Sequence, residues 1–107
     1  MVFAFDEKDV ISREIDRVLT VSTCHMSQQD SHVLRNHINE ICPLVSYKYE
    51  EGDFIILNDI EEKLPEIKKH FSSSFVGLIL LAQKHDCQIL RLDRDGPVYD
   101  DLPTFVW

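Results

Sequence analysis

Apolar residues recur every three to four positions within the first eighteen residues, behind Asp6. This spacing is typical of an amphipathic helix, so the chain should open with a leading helix over residues 1–18. Residues 19–24 are rich in β-branched side chains that alternate with polar ones, which predicts a first strand. Ser27 and Asp30 then have the spacing of a helix capping box, and a second helix should follow them.

Two short alternating segments in the middle of the chain predict a β-hairpin. Residues 45–49 and 54–57 have the composition of strands, and the link between them, residues 50–53, contains a glycine. The pattern becomes helical again after the hairpin. Because proline is tolerated best in the first turn of a helix, Pro65 indicates that this helix begins near Leu64.

The remaining pattern completes an α+β domain. Three consecutive serines at 72–74 should interrupt the helix, because serine favours caps, and residues 88–92 form the last strand. The order βαββαβ predicts a ferredoxin-like fold, in which a four-stranded antiparallel sheet has its helices on one face. We expect a single domain with a leading helix over 1–18, a core over 19–92, and a turn with a packed tail over 93–107.

Composition and charge restrict the classes of function. A chain of 107 residues is long enough for one globular domain, and no apolar run approaches the length of a membrane span. Three cysteines without a C-x-x-C pair and the absence of a secretory signal predict a cytoplasmic protein. The net charge of −8 argues against direct nucleic-acid binding, because phosphate contacts need clustered Lys and Arg. We expect no cofactor, and a homodimer through an edge or face of the sheet is an open alternative.

The end of the last strand resembles a phosphatase motif. In haloacid-dehalogenase-type phosphatases an apolar strand runs into Asp-x-Asp-Gly-Thr, and the stretch beginning at Leu92 reads Leu-Asp-Arg-Asp-Gly-Pro. By that resemblance Asp93 would be the nucleophile, Asp95 the general acid and base, and both would hold a magnesium ion. Only 12 residues follow Asp95, however, and Pro97 replaces the threonine. We therefore favour a turn, in which aspartate orders the backbone and Gly96 adopts a positive φ.

His25 is the candidate general base of the same alternative, a small metal-dependent hydrolase or ligand-binding domain. It follows the first strand, as Asp93 follows the last. In a ferredoxin-like sheet these strands are antiparallel, which would place the two side chains at opposite ends of the sheet. A joint site of His25, Asp93 and Asp95 would require the two strands to be parallel.

Several short motifs together resemble an uncharacterised family. They are Ser-Thr-Cys-His at 22–25, Tyr-x-Tyr-x-x-Gly-x-Phe-Ile at 47–55, and Leu-Asp-Arg-Asp-Gly-Pro at 92–97 with Leu-Pro at 102–103 and the terminal Trp107. The similar proteins are small proteins of unknown function from proteobacteria, their plasmids and their phages, often near anti-restriction genes, and the resemblance covers residues 18–107. It implies an accessory protein of a bacterium or mobile element, and it implies no catalytic residues.

Acidic residues are concentrated around the hairpin and the helix after it. The six that we predict to bind a partner are Glu50, Glu51, Asp53, Asp59, Glu61 and Glu62. A surface of this charge could imitate a phosphate backbone and bind a basic, nucleic-acid-handling protein. The sequence thus favours a non-enzymatic protein-interaction module, with inhibition of a defence protein as its hypothesised role.

Overall fold

A computed structural model describes residues 14–35 and 44–107. The strands are β1 (Val18–Ser22), β2 (Val45–Tyr49), β3 (Gly52–Ile56) and β4 (Ile89–Asp93). The helices are α1 (Gln28–Arg35), α2 (Ile60–His70) and α3 (Ser73–Lys84), and a 3-10 turn, Thr23–His25, follows β1. Most of the predicted leading helix over 1–18 lies outside the described residues, and Val18 already belongs to β1.

The four strands form one mixed sheet in the order β1-β4-β3-β2. The predicted α+β class and four-stranded sheet are confirmed, but the prediction of an all-antiparallel sheet was wrong, because β1 pairs parallel with β4, from Val18 opposite Ile89 to Ser22 opposite Asp93. The other two pairings are antiparallel. Parallel neighbours need a long crossover, and the hairpin and three helices between β1 and β4 supply one.

One face of the sheet forms the core with the helices. Alternate residues of the central strands, including Ile55, Leu90 and Leu92, are fully buried, and so are Phe75 and Ile79 of α3. They belong to one contiguous cluster of apolar side chains. The strand pattern of period two therefore matches the pleat, since residues two apart share a face.

Local hydrogen bonds set the ends of two helices. The backbone N–H of Asp30 donates to Ser27 Oγ over 3.1 Å, which confirms the capping position of Ser27. The predicted break at the serines is confirmed as well, because Ser72 precedes α3 and its Oγ accepts from the N–H of Phe75. Asp30 joins the two caps, since its buried carboxylate accepts from the N–H of Ser72 over 2.8 Å.

Helix α2 begins earlier than Pro65 suggested. Its first residue is Ile60, and Pro65 lies inside it. A proline at this position removes the single hydrogen bond that its N–H would have made to the carbonyl four residues earlier. Burial of Ile60 and Ile67 against the core stabilises the first turns of the helix. This tertiary stabilisation could not be predicted from the local sequence pattern.

Candidate functional site

The face of the sheet opposite the helices, here called the open face, carries an apolar strip. Cross-strand register aligns three rows on it: Val18, Ile89, Ile56 and Val45 in the first row, Thr20, Arg91, Phe54 and Tyr47 in the second, and Ser22, Asp93, Gly52 and Tyr49 in the third. The apolar strip is the first row together with Phe54 and Tyr47. The side chains of Val18, Val45 and Tyr47 are 44%, 43% and 63% exposed, so the described residues leave much of the strip uncovered.

A hydrogen-bonded cluster borders the strip in the second and third rows. The Tyr49 hydroxyl donates to Asp93 Oδ2 over 2.6 Å, and the Arg91 guanidinium donates to the same oxygen over 2.9 Å. Arg91 Nε also donates to the Tyr49 hydroxyl, and the guanidinium lies 5.5 Å from the centre of the Phe54 ring. The cluster therefore holds the Arg91 guanidinium within cation–π distance of two aromatic rings on the open face.

The pKa values of this cluster follow from its hydrogen bonds. The Tyr49 hydroxyl, followed by the N–H of Asp95, holds the pKa of Asp93 below its ordinary value. Burial, reinforced by the hydrogen bond to Asp93, raises the pKa of the Tyr49 phenol. Asp93 is thus an ionised acceptor at neutral pH, and both of its oxygens already have donors, since Oδ1 accepts from the N–H of Asp95.

The segment after β4 is a turn, as the sequence favoured. The N–H of Gly96 donates to the carbonyl of Asp93 over 2.9 Å, and the Asp93 side chain orders the backbone at Asp95. The expected positive φ at Gly96 was wrong, because no described glycine has one. The backbone approaches closely here instead, since a Cβ on Gly96 would lie 3.0 Å from the Asp93 carbonyl oxygen and 3.1 Å from the carbonyl of Val21.

The parallel pairing of β1 and β4 brings His25 to the same end of the sheet as Asp93. The two side chains nevertheless bond to different groups. His25 is 1% exposed, its Nδ1 lies 2.8 Å from the carbonyl oxygen of Pro103, and its Nε2 accepts from the N–H of Tyr99 over 2.9 Å. This pattern corresponds to a neutral imidazole that donates from Nδ1. Both nitrogens are therefore occupied in holding the C-terminal tail.

An open cavity of about 580 Å³ lies on the open face beside the turn. It is lined by Thr20, Glu51, Arg91, Asp93, Asp95, Gly96 and Pro97. The Asp95 side chain is 79% exposed at this site. Within residues 14–35 and 44–107, no group of three or more His, Cys, Asp or Glu side chains is placed to hold a metal ion.

The acidic residues predicted to bind a partner lie in separate places. Glu50 and Glu51 form the turn between β2 and β3, at the third-row end of the open face. Asp59, Glu61 and Glu62 lie around the start of α2, after β3 has crossed the sheet. The five residues of β3 extend over roughly 17 Å, so the two groups occupy opposite ends of the sheet. Their binding to a partner stays a prediction.

Asp53 differs from the other five because it is on the core face. It is 1% exposed, and both of its oxygens accept from Arg35 Nη1 over 3.0 Å. This ion pair joins α1 to β3. Its carboxylate is therefore enclosed in the fold and is absent from the acidic surface.

Sequence reasoning did not identify the open face or the cluster around Arg91. The signal was the alternation of Val45, Tyr47 and Tyr49 with polar residues, which correctly places these three side chains on one face. An apolar face is ordinarily the buried one, so alternation alone does not indicate that this face is exposed. Its exposure became visible only when the helices were placed on the other side.

Comparison with known protein families yields a match. Residues 18–107 match the sequence profile of the C-terminal domain of a family of unknown function, DUF5983, over the same range as the resemblance seen in the sequence. No curated protein and no solved structure matches the chain. Among the described residues, no helix has the length and apolar character needed to cross a membrane.

Proposed function

Because the chain belongs to the DUF5983 family, whose description names no activity, we propose its function from the geometry of the site. The protein is a non-enzymatic protein-interaction module that binds its partner through the open face of the sheet. The observation that carries this proposal is the apolar strip, on which Val18, Val45 and Tyr47 are exposed. Contiguous apolar surface of this kind marks interaction sites on folded proteins.

The state of the chemically capable side chains supports a binding role over a catalytic one. Both oxygens of Asp93 and both ring nitrogens of His25 are engaged in hydrogen bonds that hold the fold together. A catalytic base must be free to take a proton, and a nucleophile must be free to approach its substrate. Asp95 has a largely exposed carboxylate at this end of β4 and Glu51 lines the same cavity, but within residues 14–35 and 44–107 no third His, Cys, Asp or Glu side chain joins them in a metal-holding group.

The acidic hairpin supports a basic partner. Glu50 and Glu51 border the third-row end of the open face, and opposite charges across an interface speed association and select the partner. A single acidic surface that imitates a phosphate backbone is less well supported, because Asp59, Glu61 and Glu62 at the start of α2 lie at the other end of the sheet. This proposal also includes an origin of the protein in a bacterium or mobile element and its role as an inhibitor of a basic defence protein.

The proposal is tested by affinity capture with two matched variants. Tyr47→Glu places a charge on the apolar strip, whereas Leu80→Glu places the same charge on α3, where Leu80 is 43% exposed. We expect the tagged wild type and Leu80→Glu to retain the same protein from a nuclease-treated bacterial lysate, and Tyr47→Glu to lose it. Circular dichroism checks that both variants fold. Equal capture by Tyr47→Glu, or capture by none of the three, refutes the proposal.

The acidic contribution has its own matched pair. Reversing Glu50 and Glu51 to Lys should weaken capture and reduce its sensitivity to salt, because the charges beside the open face are removed. Reversing Glu61 and Glu62 changes the net charge equally at the opposite end and should have little effect. Equal losses from the two double variants would mean that net charge matters and location does not.

A further inference from the structure

We infer that the occupant of the open face is an amphipathic helix of a basic partner protein. This inference rests on the proposed function and specifies its partner. The apolar side of the helix packs on the strip, and Lys or Arg residues along one flank of the helix face Glu50, Glu51 and Asp95. Three properties of the described residues lead to this chemistry: the shape of the strip, the polarity of the third row, and the charge at its edge.

The shape of the strip matches a helix. The strip crosses four strands, so its ends are about 14 Å apart, and its two rows are about 7 Å apart. Three turns of an α-helix extend over about 16 Å, and the apolar stripe of a helix is narrow in the other direction. An elongated strip of two rows therefore accepts one helix lying along it.

The third row argues against a second sheet as the occupant. A sheet packed on the open face would also cover Arg91 and Asp93, whose side chains are 38% and 9% exposed as an ion pair. Removing this pair further from water has a desolvation cost that Coulomb attraction offsets only in good geometry. A helix confined to the apolar strip borders Arg91, which is in the second row, but leaves Asp93 and Tyr49 of the third row uncovered.

Charge selects a basic helix over a second copy of this chain. The third-row end carries Glu50, Glu51 and Asp95, with Arg94 beside Asp95 and Lys48 on the opposite face of β2 as cations near it in sequence. Two copies would also bring together two net charges of −8, which repel each other. A helix that carries Lys or Arg along the flank facing this end instead neutralises the acidic edge.

The test uses model peptides in place of the unidentified partner. A fluorescent peptide of about 18 residues, with Leu on one helical face and Lys on the other, is titrated with the full chain, and its anisotropy is measured. We expect saturable one-to-one binding that weakens at least about tenfold with Tyr47→Glu and stays unchanged with Leu80→Glu. A peptide of the same composition in scrambled order, and one with Glu replacing Lys, should each bind at least about tenfold more weakly.

Three outcomes overturn the inference. The first is a Leu/Lys peptide that fails to bind, or that binds Tyr47→Glu as well as wild type. The second is a wild-type dimer in sedimentation velocity that Tyr47→Glu dissociates, because a second copy is then the occupant. The third is a monomer in which the thiol of Tyr47→Cys resists alkylation, as mapped by mass spectrometry, because the chain itself then covers the strip.

These results separate this inference from the proposed function. If lysate capture depends on Tyr47 but the Leu/Lys peptide does not bind, the open face is the interface and its occupant is not a basic helix. If lysate capture is independent of Tyr47, the proposed function fails, and a peptide that binds at Tyr47 would then report only the chemistry of the strip.

Discussion

The close approach of Gly52 to β4 allows a demanding test of the sheet. Gly52 lies opposite Asp93, and a Cβ at this position would be 1.7 Å from the carbonyl oxygen of Leu92 and 2.7 Å from its carbonyl carbon. Both are backbone atoms, so no side chain can rotate away to relieve the clash. Moving that oxygen contact out to 3.0 Å requires the strands to separate locally by about 1.3 Å, and Gly52→Ala should therefore disrupt this end of the pairing.

The size of the effect follows from what the displacement breaks. The hydrogen bond from the N–H of Arg94 to the carbonyl of Glu51, 2.9 Å long, lies directly beside Gly52 and should be lost with part of the β3–β4 ladder. Each lost bond costs about 1 kcal/mol, and overpacking adds about 1–3 kcal/mol. We expect Gly52→Ala to lower the free energy of unfolding by about 3–4 kcal/mol, which lowers Tm by roughly 15 °C or more.

Gly77→Ala is the matched control in the same chain. Gly77 is exposed within α3, and a Cβ there would meet nothing within 4 Å. Because alanine favours the helical conformation over glycine, this variant should be more stable by about 0.5–1 kcal/mol. Urea denaturation followed by circular dichroism measures both variants. If Gly52→Ala unfolds within about 1 kcal/mol of wild type, the register that places Gly52 against Leu92 and Asp93 is refuted.

Three further predictions concern charged groups. Arg35→Met leaves the buried Asp53 carboxylate without its cation and should lower the free energy of unfolding, measured by urea denaturation, by about 2–3 kcal/mol. The loss is smaller than for a fully enclosed ion pair because the Arg35 side chain is 36% exposed. A loss below about 0.5 kcal/mol would contradict this prediction. Tyr49→Phe removes the hydrogen bond that is the main cause of the lowered pKa of Asp93. Because this pKa is lower in the folded state, the hydrogen bond stabilises the fold above the ordinary carboxyl pKa of about 4, and the stabilisation is lost as pH falls through the folded-state pKa. The Tm of Tyr49→Phe should therefore be below that of wild type at pH 7, with a difference that shrinks below about pH 4, and a constant difference down to pH 2 would contradict this. Millimolar Mg²⁺ or Ca²⁺ should leave the Tm of wild type and of Asp95→Asn unchanged, whereas a rise seen only in wild type would restore the metal-dependent alternative.

The sequence by itself determined the features that arise between near neighbours in the chain. The spacing of Ser27 and Asp30 predicted a helix cap, the serines at 72–74 predicted a break, and the two alternating segments predicted the hairpin of β2 and β3. In each case the decisive hydrogen bonds or side-chain directions involve residues a few positions apart. Such interactions are encoded locally and can be recognised without knowledge of the rest of the fold.

Tertiary structure decided which surfaces meet. Alternation places Val45, Tyr47 and Tyr49 on one face of a strand, but it does not specify whether helices cover that face. Asp53 has the same charge as Glu51, yet its place on the core face makes it a buried partner of Arg35. The direction of β1 relative to β4, the burial of Asp53 and the exposure of the apolar strip all depend on contacts between distant segments, and those contacts have no local pattern from which they can be predicted.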